Sequence, residues 1–317
     1  MKTKLRILTV AIVSMLFVQS CAPISLSPEE LSPVAPEPTS SPIPASDTAS
    51  PSPIPPTETP IPTATPLPGK MVYPLESFAP AIPWLAVDPD NLPVVHVITF
   101  NILRPPFNSA LVRRAFAHAV DREVIVAMAE KYRATGISPA TTFTPSQALG
   151  RDLYNEVGSV FDPQIAKDLL KEAGYTDTSA FPKMTLIVNS YGDIAPGARY
   201  NMAMEMAKMW KDHLGVTVIV EAMNPSAFRE RLRNDPPELY WIGWVDENDP
   251  DKFLYAIMHT NSEYNYGRFS NVEFDQLVEQ ARSIKDPLQR LELYILAERI
   301  LCEQEAGVIP LYFAHYP

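Results

Sequence analysis

Residues 238–253 read Glu-Leu-Tyr-Trp-Ile-Gly-Trp-Val-Asp-Glu-Asn-Asp-Pro-Asp-Lys-Phe. The apolar run Leu239–Trp244 has the length of a strand, and it stops in acids, an amide and a proline before helical patterning resumes at Asp249. In an α/β architecture ligands bind in the crevice beyond the carboxyl ends of the strands. Trp244 and Asp246 stand in that position, and an indole face beside a carboxylate suits a solute with an apolar body and a cationic group. The same residues also fit a purely structural account. In that account Trp244 is core, Asp249 caps the next helix with Pro250 at its first position, and Asp246 and Glu247 are solvated charges.

Outward from this stretch the chain is uneven. Its 34 prolines among 317 residues crowd toward the N-terminus, which leaves a foldable body of roughly 230–250 residues, enough for a real core. A net charge of −11 argues against nucleic acid or an anionic membrane surface as partner. Two cysteines, Cys21 and Cys302, provide no disulfide framework, and Cys302 falls in a helical apolar stripe as a small buried hydrophobe.

Residues 1–21 place Lys2, Lys4 and Arg6 before an apolar run from Ile7 to Val18. As a helix that run reaches only ~18 Å, short of the ~30 Å hydrocarbon core, so it is expected to be an export signal. Its end, Val-Gln-Ser-Cys21, resembles a bacterial lipoprotein signal, which implies acylation of Cys21 and a membrane anchor. Residues 22–69 are rich in Pro, Ser and Thr and cannot bury a face, so they are expected to form a disordered stalk. Five prolines between 70 and 93 keep that transition irregular. Residues 94–317 carry the folded domain.

Val94–Phe100 is a nearly continuous apolar run, read as a strand covered on both faces, with His96 as a core histidine. A single helix is expected from about Ser109 to Tyr132, with Arg113, Arg114, Asp121 and Arg122 on its solvated side. Asp162-Pro163 opens a helix that Gly174 closes. Strands follow at Met184–Asn189 and Val216–Val220, flanking a helix whose Met202, Met206, Met209 and Trp210 read as core. A short helix begins at Asn224-Pro225. After the organising stretch, a capping box at Ser270–Glu273 opens one helix and Asp286-Pro287 opens a longer one to about Glu305. The last strand, Gly307–Phe313, contains Pro310, which suggests an edge or a break.

Several of these segments together resemble a known family. Phe100-Asn101, Arg104-Pro-Pro-Phe-Asn108, Val112-Arg113-Arg114-Ala115, Ala119-Val120-Asp121-Arg122, the helix ending Leu169 to Tyr175, Gly243-Trp244 and Asp249-Pro250 resemble, in order and spacing, the family 5 extracytoplasmic solute-binding proteins of peptide-type ABC importers. The resemblance implies an α/β fold: a type II periplasmic-binding-protein-like lobe with a mixed sheet flanked by helices, incomplete relative to the family. It implies further that Asp246 holds a peptide's α-ammonium group, in a loop one residue shorter than the family's usual form. Trp244 would pack on a ligand side chain and Asn101 would bond the peptide backbone.

The implied partners are a peptide or other small solute, ABC permease subunits, the membrane through the lipid on Cys21, and a separate polypeptide supplying the lobe that this chain is expected to lack. No nucleic acid, cofactor, metal or catalytic residue is expected, and the location is the extracytoplasmic face of the cell membrane. An alternative is a truncated, non-transporting surface lipoprotein acting as an interaction module. Hydrolysis by the acids at 246–249 finds no nucleophile constellation. Calcium binding there lacks the glycine and distal glutamate of an EF-hand loop.

Overall fold

The computed structural model describes residues 92–132, 136–179, 181–189, 197–246 and 248–316. The expected signal, stalk and residues 70–91 of the transition lie outside them, as does Glu247. The strand expected at 94 begins two residues earlier, as β1 (Leu92–Phe100). It pairs antiparallel with β5 (Leu239–Val245), Val94 facing Val245 and Phe100 facing Leu239. On its other side β1 pairs antiparallel with β6 (Val308–Tyr316), which pairs at its far edge with the two-residue β2 (Ser138–Pro139). β3 (Met184–Asn189) lies parallel to both β5 and β4 (Val218–Met223). The mixed sheet therefore runs β2-β6-β1-β5-β3-β4.

Both faces are covered, which is why the central strands read as unbroken apolar runs. Ile98, Phe100, Leu186, Val188, Leu239, Trp241 and Ile309 turn to one side. They pack under α1 (Ala110–His118), α2 (Arg122–Lys131), α4 (Pro163–Glu172) and α5 (Ala198–Leu214). The alternate residues Val95, Val97, Val308 and Phe313 turn the other way. Against them lie α7 (Pro250–Phe253), α8 (Val272–Ser283) and α9 (Pro287–Arg299), with α7 and α9 each running on into a turn of π-helix. Ile187 and Tyr240 on that side pack under α6 (Pro225–Asn234). The short α3 (Ser146–Leu149) and β2 carry too little periodicity to be read from sequence.

Three expectations are corrected. The helix expected over 109–132 is two helices, because Asp121 takes extended backbone and its carboxylate accepts the N–H groups of Glu123 and Val124. Arg113 and Arg122 are buried, not solvated, at 3% and 2% exposure. Each is a strut: Arg122 Nε donates to the Pro310 carbonyl at 2.7 Å, and Arg113 binds the Phe107 carbonyl and the Glu305 carboxylate. The cap of α8 is Asn271, one residue after the expected serine, accepting from Phe274 N. The break expected at Pro310 is present. The pairing slips from His96–Tyr312 to Val97–Pro310, leaving Leu311 of β6 unmatched, and the missing N–H of Pro310 falls at that irregularity.

Other readings hold. Asp162 caps α4, Gly174 closes it at φ +94°, and Met202, Met206, Met209 and Trp210 are core. Cys302 is buried, its thiol donating to Glu298.

Candidate functional site

The strand directions define one rim. β3, β4 and β5 are mutually parallel, and β6 runs the same way because both β5 and β6 are antiparallel to β1. Their carboxyl ends, at Asn189, Met223, Val245 and Tyr316, share an edge where β1 also begins, Leu92 pairing with Tyr316. This is the edge at which α/β sheets bind ligands. Asp246 stands on it, half-buried, one residue beyond β5.

The strand that carries Asp246 is fixed from beneath. A Cβ on Gly243 would lie 2.9 Å from His96 Cε1, so the glycine is needed for the ring to approach. His96 is 1% exposed, stacks on Tyr312 at 4.5 Å, and accepts the Trp241 indole N–H on Nδ1 at 3.3 Å. On the opposite face Trp244 is half-buried. Its ring lies near parallel to Tyr266 at 6.4 Å and edge-on to Tyr264 at 6.1 Å.

Beyond Asp246 the chain is tied down by charge. Asp249 caps α7 through Asp251 N and accepts from Arg290 at 3.0 and 3.2 Å. Arg290 also donates to the Tyr294 hydroxyl, which donates to Asp251 at 3.1 Å. Arg282 meets Asp251 at 3.3 Å and lies 3.8 Å over the Tyr255 ring. Burial raises the Asp251 carboxyl despite Arg282. The acids at 249 and 251 are thus fastened to α8 and α9.

Asn101 is not brought to this rim. Because β1 runs antiparallel to β5, Asn101 lies at the opposite end, its N–H donating to the Glu238 carbonyl. Glu238 precedes Asp246 by eight residues, about 26 Å of extended strand. The Asn101 side chain is 5% exposed, donating to Pro236 O at 2.9 Å and accepting from Leu103 N at 3.2 Å. It holds a turn. Tyr264 and Tyr266 were missed, because their loop has no periodicity, though two tyrosines two residues apart in a polar segment were visible. Among the described residues there is no group of three His, Cys, Asp or Glu that could hold a metal, and no helix is long and apolar enough to cross a membrane.

The model of a known family, the bacterial extracellular solute-binding proteins, family 5 (middle portion), matches residues 75–265. This chain belongs to that family. It is 32% identical over 219 residues to the "Probable deoxycholate-binding periplasmic protein YgiS" of Escherichia coli K12, covering 68% of this chain and 39% of that protein. It is 30% identical over 218 residues to the periplasmic oligopeptide-binding protein OppA of Salmonella typhimurium, covering 67% and 38%. Among solved structures, the Escherichia coli murein tripeptide binding protein MppA superposes with a TM-score of 0.61 at 27% identity, covering 76% of this chain and 46% of that one. The mixed α/β architecture is that of family 5 structures. The chain spans about two fifths of the length of these curated relatives.

Proposed function

We propose that this chain is the substrate-binding component of an ABC importer and receives peptides or similar small solutes at the rim beyond β5. The observation that carries the reading is the placing of Asp246 and Trp244 at the carboxyl end of a central strand, on the edge where β3, β4 and β6 also end. There Asp246 pairs with the ligand's ammonium group and Trp244 packs on its apolar part. Asn101 acts at a distance, holding the turn after β1. The names of OppA and MppA, an oligopeptide- and a murein tripeptide-binding protein, favour peptides as the solute class.

In the same reading residues 1–21 export the chain, a lipid on Cys21 anchors it outside the cytoplasmic membrane, and residues 22–69 space the domain at 94–317 from that anchor. Permease subunits receive the solute. Native mass spectrometry of the full chain purified from its own host tests this. A retained small-molecule or peptide mass that is released on denaturation is expected. A bare chain that also ignores added tripeptides would favour the alternative, a surface lipoprotein acting as an interaction module.

A further inference from the structure

The turn that leads into Tyr264 closes around a buried histidine. His259 follows the π-helical turn after α7 and is 6% exposed. Its Nδ1 accepts the backbone N–H of Asn261 at 3.1 Å, so the neutral ring carries its proton on Nε2 and donates it to Glu279 at 3.1 Å. Asp275 lies 3.9 Å from the same nitrogen and accepts the Thr260 N–H at 3.0 Å. The His259 carbonyl accepts from Ser262 N and from the Asn265 side chain. The Ser262 hydroxyl accepts Tyr264 N and donates to the Ala256 carbonyl. Tyr264 in turn meets Trp244 edge-on at the rim.

The two ring nitrogens respond to acid in opposite ways. A second proton must go to Nδ1, where it faces the Asn261 N–H, and two donors cannot share that hydrogen bond. At Nε2 the charged ring gains ion pairs with Glu279 and Asp275, both on α8. Tyr255 lies beside the imidazole at 4.8 Å, with Arg282 of α8 3.8 Å over the tyrosine ring and tied to Asp251. The ring therefore exchanges a bond that shapes the turn for bonds that hold it to α8.

We propose that His259 is a pH-sensitive latch. Its protonation breaks the bond to Asn261, opens the turn at 259–262 and loosens the Tyr264 edge of the aromatic wall, so that solute is held less firmly in acid. The effect on solute rests on the reading that the rim after β5 is the binding site, whereas the opening of the turn does not.

Amide exchange of the full chain, followed by mass spectrometry at pH 7 and pH 5 and corrected for the intrinsic pH dependence of exchange, tests the latch. Residues 259–264 are expected to lose protection about three- to tenfold at pH 5, the factor that one lost hydrogen bond gives, while α4 is unchanged. His259→Asn offers a carbonyl near the place of Nδ1 and does not titrate, so the effect should vanish. Glu279→Gln, at a side chain 59% exposed, removes a partner of the charged ring and should move the transition a few tenths of a pH unit lower. A turn equally protected at both pH values, an effect that survives His259→Asn, or a transition unmoved by Glu279→Gln overturns the inference. Trialanine should bind the parent about two- to fivefold more weakly at pH 5 than at pH 7, the cost of re-ordering a side chain at the site. Equal affinity overturns the link between turn and rim. Trialanine that binds at neither pH overturns the receptor reading, and the exchange measurement still decides the latch.

Discussion

Replacing Gly243 by alanine adds one methyl group at the most crowded point beneath the rim. Its Cβ would lie 2.9 Å from Cε1 and 3.1 Å from Nδ1 of His96, where carbon contacts normally settle at ~3.5–4.0 Å. The imidazole cannot swing aside freely, being 1% exposed, stacked on Tyr312 at 4.5 Å and hydrogen-bonded to the Trp241 indole at 3.3 Å. Overpacking of this kind costs about 1–3 kcal/mol, and displacing the ring from the indole N–H adds about 1 kcal/mol. The restriction that alanine places on the unfolded chain returns ~0.4–1 kcal/mol. The net expectation is a loss of about 1–3 kcal/mol. It is read as a lower urea midpoint at unchanged slope.

Removing the obstacle should restore tolerance. His96→Ala will itself destabilise, but the double variant should lose at least about 1 kcal/mol less than the sum of the two single losses. If Gly243→Ala is as stable as the parent, or the two losses simply add, the contact does not govern the geometry of the strand leading to Asp246.

Arg290→Met should cost about 1–3 kcal/mol, since it strips Asp249 and the Tyr294 hydroxyl of a charged donor in a partly buried setting. The same variant should speed amide exchange over residues 250–258, measured by mass spectrometry, and unchanged protection there would free the charge network of any part in holding this segment. Glu298 gives a pH dependence. Burial raises its carboxyl above the ordinary value of 4.5, against the pull of the Phe143 and Thr144 N–H groups that it accepts. The unfolded chain therefore releases this proton first, and stability contributed by the protonated form is present below pH 4.5 and lost as pH rises through the native value. Glu298→Gln should flatten that part of the stability profile, followed as urea midpoints from pH 5 to 8.

What could be read in the sequence follows from how local each signal is. Asp162-Pro163 with Gly174 states both ends of α4 in its own residues, and the methionine stripe of α5 needs only helical spacing. β1 and β5 were legible because strands covered on both faces lose polar alternation. Arg122 was misread because its burial is decided 188 positions away, by the Pro310 carbonyl that receives its Nε. Asn101 was misplaced for a related reason: a strand's direction in a sheet is a property of its partners, and the antiparallel pairing with β5 sends its end away from Asp246. The rim itself was foreseen from Trp244 and Asp246. Its aromatic wall was not, because Tyr264 and Tyr266 reach Trp244 only through a loop fold that Asn265 and Gly267 impose.

The account turns on the carboxylate that follows β5 meeting a positive charge on the solute. Trialanine and N-acetyl-trialanine, titrated into the parent chain and into Asp246→Asn, measure that pairing directly. Acetylation and the substitution should each weaken binding by about 2–4 kcal/mol, and together by little more than either alone, because both remove one contact. Equal affinity of the parent chain for both peptides would place the recognition elsewhere.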